Sequence, residues 1–258
     1  MNTEDFTLYP LDNEAELVKA HQNAMDYAAL SLPFTVNRMN LASVENRFRN
    51  IFKGKLAEHI FESFLKSLSI EADFEAGNTP FWLSDRFDFR WNNYDWDIKN
   101  NFVNHNLNQL SGTRKLQLPN LIPDRHANDQ WGKWLQHSNR STKAFVFTFM
   151  CKQDIPVLKL NKQQLSLLDR AIRYYQNRIV NSQPFDEIIF LQEFYASNRF
   201  DNIKLKPVNM LIGAYCNEHH CTYFQKKSAQ VFGENLFKTI ITNQFAESKD
   251  LPAFKDLL

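Results

Sequence analysis

Apolar and charged residues alternate along residues 86–99, on both sides of an Asn92-Asn93 pair. This alternation is typical of half-buried strands, and a two-residue asparagine turn between two such runs predicts an antiparallel hairpin. One predicted face is apolar and consists of Phe87, Phe89, Trp91, Tyr94, Trp96 and Ile98. The opposite face is wholly charged and consists of Arg86, Asp88, Arg90, Asp95, Asp97 and Lys99.

The short turn also predicts the register of the hairpin. Counting back from the turn along both strands sets Asp88 directly opposite Asp97. Paired carboxylates repel each other at a Cβ separation of about 5 Å, which costs up to about 1 kcal/mol. A sequence that breaks a local rule in this way often does so at a working site. The alternative is an ordinary solvated face with an ion pair between Arg90 and Asp95.

Two carboxylates at that separation can hold one hard divalent cation, because Mg²⁺ prefers oxygen ligands and accepts water or phosphate oxygens in its other positions. Lys99 projects from the same face as Asp97, two residues further along the strand. Its ammonium could hold a phosphate oxygen or an attacking water, or stabilise developing negative charge. The hairpin therefore predicts a metal site formed by Asp88 and Asp97, with Lys99 beside it.

A long helix is predicted before the hairpin, from Leu41 to Leu68, because apolar residues recur there at helical spacing. Glu58 falls in a second, apolar stripe of this helix, whereas Glu62 falls in a polar sector with Lys66 as its i,i+4 partner. A carboxylate among apolar neighbours is costly to desolvate unless a cation or a donor meets it. Glu58 is therefore a candidate third acid of the metal site, or else a surface residue at the edge of a buried face.

The order Gly54-Lys-Leu-Ala-Glu58, then Asp88, then Asp97-Ile-Lys99 resembles the PD-(D/E)xK nuclease superfamily. The resemblance implies that Asp88 and Asp97 bind Mg²⁺, for which Mn²⁺ can substitute, and that Lys99 assists the attacking water. It also implies that Glu58, which follows a glycine on the preceding helix, joins the metal site.

The match covers Gly54 to about Phe102, and Phe87 stands where the family motif has proline. The implied fold is the restriction-endonuclease-like core, an α/β fold with a central mixed β-sheet flanked by helices. The apolar run Ala144–Met150 predicts a central strand of that sheet. We expect one nuclease domain over residues 1–258, with an N-terminal helical extension (1–40), a catalytic core (41–150) and C-terminal helices and strands (151–258).

Several further elements are predicted outside the hairpin. Asn13 and Glu16 predict the start of a helix that stops before Pro33. Helical spacing predicts a helix over residues 165–179, and apolar runs predict strands at 185–194 and 210–215. A final helix is predicted through residues 233–245.

An amide-rich segment that ends in two cations follows the hairpin. It predicts either an exposed loop or a surface that reads DNA, because amides can bind adenine edges and cations can bind phosphates. Aromatic and cationic residues also interleave between residues 119 and 141, which predicts either a core helix or a groove wall that contacts phosphate. The candidate DNA contacts are Asn101, Asn104, Arg114, Lys115, Arg125 and Arg140.

Composition sets the context of these motifs. The chain has 258 residues of which 43% are hydrophobic, so it can bury a sizeable core. Its net charge of +1 does not indicate nucleic-acid binding, but a nuclease needs only a local basic cleft. We expect no membrane span, no signal segment and no nucleotide cofactor. Three cysteines in a chain of this length argue against a disulfide framework and favour a cytoplasmic location. A zinc site at Cys216, His219, His220 and Cys221 is a weak alternative to an ordinary turn.

The resemblance implies a metal-dependent endonuclease that acts on double-stranded DNA. Cleavage at a specific sequence, as in a type II restriction-like enzyme, is the most economical role, and a homodimer would fit cutting at a two-fold symmetric site. A structure-selective repair or recombination nuclease is one alternative. A catalytically silent nuclease-like module that only binds DNA is the other.

Overall fold

The computed structural model describes residues 1–35, 43–81, 87–123, 143–175, 185–200, 203–232 and 237–258. The helices are α1 (Glu14–Thr35), α2 (Val44–Ser67), α3 (Gly112–Leu116), α4 (Lys162–Tyr175) and α5 (Glu187–Ala196). The longer strands are β1 (Thr7–Leu11), β3 (Tyr94–Val103), β4 (Pro119–Pro123), β5 (Lys143–Cys151), β6 (Val208–Cys216) and β10 (Asn243–Glu247). The short strands are β2 (Phe89–Trp91), β7 (Gln225–Lys227), β8 (Val231–Phe232) and β9 (Phe237–Lys238).

Five strands form a mixed sheet in the order β1-β6-β5-β3-β2. Strands β3 and β5 are parallel, and the other neighbours are antiparallel. The predicted α/β fold with a central mixed sheet is therefore confirmed, and β5 lies at its centre as the run Ala144–Met150 predicts. The segment predicted as an N-terminal helical extension also contributes strand β1 to this sheet.

The two faces of the sheet are covered differently, which determines where the candidate site residues lie. Helices α1, α2, α4 and α5 pack on one face, where Trp96 and Val146 share a core with Phe48 and Phe61. A three-stranded sheet with the order β4-β10-β7 covers the other face. There Phe145 and Phe147 pack against residues of that second sheet. Alternate residues of β3 and β5 therefore point into two different cores.

The N-terminal ends of the two long helices follow from capping. Asn13 Oδ1 accepts the Glu16 N–H at 3.1 Å, and Ser43 Oγ accepts the Asn46 N–H at 3.2 Å. The predicted start of α1 is confirmed, but the predicted end before Pro33 is wrong, because α1 continues to Thr35. Pro33 lies in the last turn, where its ring removes a single backbone hydrogen bond, and its side chain is buried.

The C-terminal predictions are only partly correct. Strand β6 confirms the strand at 210–215, and α4 confirms the predicted helix over its described part. The strand predicted at 185–194 is wrong, because Asp186 Oδ1 accepts the Ile189 N–H at 2.9 Å and starts helix α5. The final helix predicted through 233–245 is also wrong where the chain is described, since β10 pairs with both β4 and β7. No described helix is both long enough and apolar enough to cross a membrane.

Candidate functional site

The hairpin turns as its sequence predicts. Asn92 and Asn93 have φ values of 53° and 64°, so both adopt the left-handed conformation that a two-residue hairpin turn of type I′ requires. The paired residues are Trp91 with Tyr94, Arg90 with Asp95 and Phe89 with Trp96. The predicted ion pair is also present, with Arg90 Nε 2.8 Å from Asp95 Oδ1.

Asp88 departs from the predicted register. The paired strand begins at Phe89, and Asp88 lies in a bend before it. The Asp88 N–H donates to the Trp96 carbonyl at 2.8 Å, so Asp88 and Phe89 both face Trp96. The prediction that Asp88 pairs directly with Asp97 across the ladder is therefore wrong. Instead, Asp88 Oδ2 accepts the backbone N–H of Ile98 at 2.5 Å, which holds the carboxylate next to the DxK segment.

Asp97 and Lys99 lie together on the face of β3 that carries the second core. Asp97 is buried, with 9% of its surface exposed, and Lys99 is half-buried. Lys99 Nζ lies 3.9 Å from Asp97 Oδ2 and 5.4 Å from the centre of the Phe145 ring. The sequence prediction that these two side chains share one face is confirmed.

Glu58 approaches Asp88 from helix α2, on the other side of the sheet. Glu58 and Asp88 both line a cleft of about 440 Å³ between α1, α2 and the segment around Phe74. The prediction that Glu58 lies only among apolar neighbours is wrong, because Lys55 Nζ lies 2.5 Å from Glu58 Oε2. The i,i+3 spacing of Lys55 and Glu58 is the sequence signal for this pair. By contrast, the predicted pair between Glu62 and Lys66 is confirmed at 2.5 Å.

The electrostatics of Asp88 reflect its position between these groups. Burial raises the pKa of the Asp88 carboxyl well above its usual range, and the charges of Glu58 and Asp97 raise it further. Lys99 and the Ile98 N–H oppose this shift without cancelling it. A buried carboxylate with acidic neighbours gains most from a nearby cation, because a cation offsets both the desolvation and the repulsion.

The residues present fit a magnesium ion held by two carboxylates. Proteins usually bind Mg²⁺ through one or two carboxylates, with water and substrate phosphate in the other positions. Asp88 and Asp97 could supply these two carboxylates, because their charges act on each other, whereas Glu58 would first have to leave Lys55. Over the described ranges, no group of three or more His, Cys, Asp and Glu side chains has the arrangement of a metal site. The three-acid site implied by the resemblance is therefore not assembled, and the fit rests on the two aspartates.

The candidate DNA contacts lie in different environments. Asn101 is buried and donates from Nδ2 to the Pro119 carbonyl at 3.1 Å, so its amide links β3 to β4. Asn104 is exposed after the end of β3, and Arg114 is exposed on α3 with Lys115 beside it. The remaining two candidates, Arg125 and Arg140, lie outside the described residues.

The weak zinc alternative gains no support from the described side chains. Cys216 is fully buried at the end of β6, whereas the side chain of His219 is 75% exposed. His220 Nδ1 accepts the Asn217 N–H at 3.3 Å, so this ring nitrogen already has a backbone partner. The side chain of Cys221 lies outside the described residues.

Comparisons against protein-family models, curated proteins and solved structures found no match to this chain. The resemblance to PD-(D/E)xK nucleases therefore rests on the order of Gly54, Glu58, Asp88, Asp97 and Lys99 in the sequence, and it stays a prediction.

Proposed function

We propose that the protein is a metal-dependent DNA endonuclease whose active site lies at the start of the β2–β3 hairpin. One observation carries the proposal: Asp88 is held against the backbone of Ile98, within the electrostatic reach of Glu58, Asp97 and Lys99. Acids that repel one another, with a lysine beside them, would be stabilised by a bound cation and a phosphate.

The side chains have distinct roles in this proposal. Asp88 and Asp97 would hold Mg²⁺, and the Ile98 N–H keeps Asp88 oriented toward the site. When bound, the metal lowers the pKa of a coordinated water and offsets charge on the phosphate. Lys99 positions the attacking water or stabilises the negative charge that develops on the phosphate oxygens. Its contact with Asp97 keeps the ammonium within the site.

Sequence-specific cleavage of double-stranded DNA by a homodimer is the form of this activity that the family resemblance favours. It is supported by analogy alone, since fold and function are separable. A repair or recombination nuclease would use the same residues and would differ in the DNA that it cuts.

A DNA-binding module without cleavage is the second candidate, and one observation favours it. Glu58 is neutralised by Lys55 at 2.5 Å, so the third acid is engaged within the protein. In such a module, Asp88 and Asp97 would only stabilise the hairpin.

The test is cleavage of plasmid and phage DNA with Mg²⁺ or with a chelator, using the intact protein, Asp97→Ala and Lys99→Ala. Asp95→Ala is the matched control, because Asp95 lies on the same strand but pairs with Arg90. We expect metal-dependent fragments that vanish in the first two variants and persist in the control. A smear, or a preference for branched DNA, would favour the repair nuclease. DNA binding without cleavage in all proteins would favour the silent module.

A further inference from the structure

A second pocket, of about 400 Å³, lies where helix α2 meets the C-terminal end of β3. We call it the basic pocket. Its lining residues are Asn50, Lys53, Gly54, Asn100, Phe102, Asn104, Lys152 and Lys238. Three lysines and three asparagine amides thus share one concave surface, and its described lining contains no Asp or Glu.

No carboxylate in the described part of the chain neutralises the lysines of the basic pocket. Within the described ranges, none of Lys53, Lys152 and Lys238 forms an ion pair. Lys53 is half-buried, with Nζ 5.2 Å from the centre of the Phe102 ring. Burial lowers the pKa of the Lys53 ammonium, and the charges of Lys152 and Arg49 lower it further. Like charges gathered in this way are stabilised by an anion that bridges them.

Gly54 gives an independent indication that a ligand approaches here. It lies in the interior of α2, where glycine costs about 1 kcal/mol relative to alanine. A Cβ added at Gly54 would meet nothing within 4 Å, so packing within the described structure does not require glycine. A missing side chain on a pocket wall leaves room for a ligand to approach the helix backbone.

Asn100 adds a hydrogen-bond donor on the same wall. Its Oδ1 accepts from Thr148 Oγ1 at 2.9 Å, while its buried Nδ2 has no acceptor among the described residues. The basic pocket is thus rich in donors and positive charge, which is the chemistry that recognises a phosphate oxygen.

We propose that the basic pocket binds a phosphate group of the DNA substrate. The identity of the ligand as DNA rests on the proposed function, whereas the preference for a phosphate rests on the pocket alone. The pocket and the acidic site share α2 and β3, since Glu58 lies one helical turn after Gly54 and Asn100 follows Lys99. The side chains of Lys99 and Asn100 point to opposite faces of the sheet, so a DNA strand would reach both sites by passing β3. A DNA strand that crosses both would present one phosphate to the metal site and another to Lys53 and Lys152.

The test is binding of a fluorescently labelled 20-base-pair DNA duplex in the presence of a chelator, so that no cleavage occurs. The test proteins are Lys53→Gln/Lys152→Gln and Gly54→Ala. The matched control is Lys19→Gln/Lys204→Gln, which removes the same charge from exposed lysines outside the pocket. Asp97→Asn reports on the proposed metal site.

We expect the double lysine variant to bind at least roughly tenfold more weakly than the control. Its log–log salt slope should be smaller by about one, because the pocket engages one phosphate. Gly54→Ala should also bind more weakly while unfolding at the same or a higher temperature, because alanine favours the helix. Asp97→Asn should still bind. Comparing duplexes with a 5′-phosphate and duplexes with a 5′-hydroxyl identifies which phosphate enters the pocket. Equal affinity indicates an internal phosphodiester. Tighter binding of the 5′-phosphorylated duplex indicates a terminal phosphate.

Wild-type binding with no difference between the double variant and its control would overturn the pocket proposal and leave the nuclease proposal standing. Pocket-dependent binding without cleavage under any metal condition would retain the pocket and overturn the nuclease. If the wild-type protein binds no DNA, both proposals fail.

Discussion

The acidic site at the hairpin and the basic pocket are built on the same helix and strand but have opposite charge. At the acidic site, Asp88 lies under the influence of Glu58 and Asp97. In the basic pocket, Lys53 lies under the influence of Lys152. Repulsion within each cluster raises the electrostatic energy of the isolated protein. A ligand of the opposite charge would lower that energy. A divalent cation with a phosphate diester supplies both charges at once.

Other charged side chains in the described part of the chain form ordinary ion pairs. Arg173 lies 2.6 Å from Asp169 on α4, and Lys66 lies 2.5 Å from Glu62 on α2. Exposed pairs of this kind contribute little to stability, typically below about 1 kcal/mol. These pairs contrast with the two clusters of like charge, and the predictions below use that contrast.

The largest effect is expected from Asp88→Asn. Asparagine can still accept the Ile98 N–H. The substitution removes the negative charge of the Asp88 carboxylate, which burial and the charges of Glu58 and Asp97 destabilise. We expect cleavage to fall by about 10³-fold or more, since a metal ligand is lost. The same variant should unfold at a temperature about 2–4 °C higher, for a gain of about 1 kcal/mol. Thermal unfolding and plasmid cleavage measure the two effects, and a destabilised protein would contradict the electrostatic account.

A smaller effect is expected from Lys55→Gln. The change removes the cation that neutralises Glu58 and makes the acidic site more negative. We expect divalent-metal affinity to rise about fivefold, which corresponds to about 1 kcal/mol. Lys66→Gln is the matched control on the same helix, because Lys66 pairs with Glu62 instead. Calorimetric titration with Mn²⁺ compares them, and an equal response in both variants would remove Glu58 from the site.

The smallest effect is expected from Glu62→Gln, and its sign is opposite to that of Asp88→Asn. A hydrogen bond with His59, together with Lys66, lowers the pKa of Glu62 to about 2 against the opposing effect of burial. A lowered carboxyl pKa stabilises the folded state above the unfolded pKa of about 4.3, and this contribution is lost as the pH falls toward 2. We expect Glu62→Gln to lose roughly 0.5 kcal/mol of folding stability at pH 7 after allowance for solvent screening.

The loss of folding stability in Glu62→Gln should decrease as the pH falls from about 4.3 to about 2. Denaturant unfolding of the wild type and the variant at several pH values checks this dependence. A variant as stable as the wild type at pH 7 would show that Glu62 is not paired in solution.

Local patterns predicted the hairpin correctly because its turn, alternation and register are set by neighbouring residues. The two asparagines adopt the left-handed conformation, and Arg90 pairs with Asp95. The position of Asp88 could not be predicted from the count along the strands. The irregular pairing at Trp96, where Asp88 and Phe89 meet one partner, depends on packing around the strand end.

The errors beyond the core have a similar cause. The apolar run over residues 185–194 predicts a strand, although the buried side chains Phe190 and Phe194 have i,i+4 spacing and Asp186 caps a helix. Strand β10 could not be predicted from local pattern, because neither partner is its neighbour in the sequence: β4 lies far from it, and β8 and β9 intervene between β7 and β10. The basic pocket was also missed, since Lys53, Lys152 and Lys238 are widely separated along the chain.

The most direct test of the central claim is Mn²⁺ binding followed by electron paramagnetic resonance, without DNA. If Asp88 and Asp97 form a metal site, we expect one Mn²⁺ ion bound per chain in the wild-type protein and its loss in Asp88→Asn and Asp97→Asn. The Lys53→Gln/Lys152→Gln variant should retain it, because the basic pocket provides no metal ligands. A wild-type protein that binds no Mn²⁺, or aspartate variants that bind it unchanged, would contradict the account.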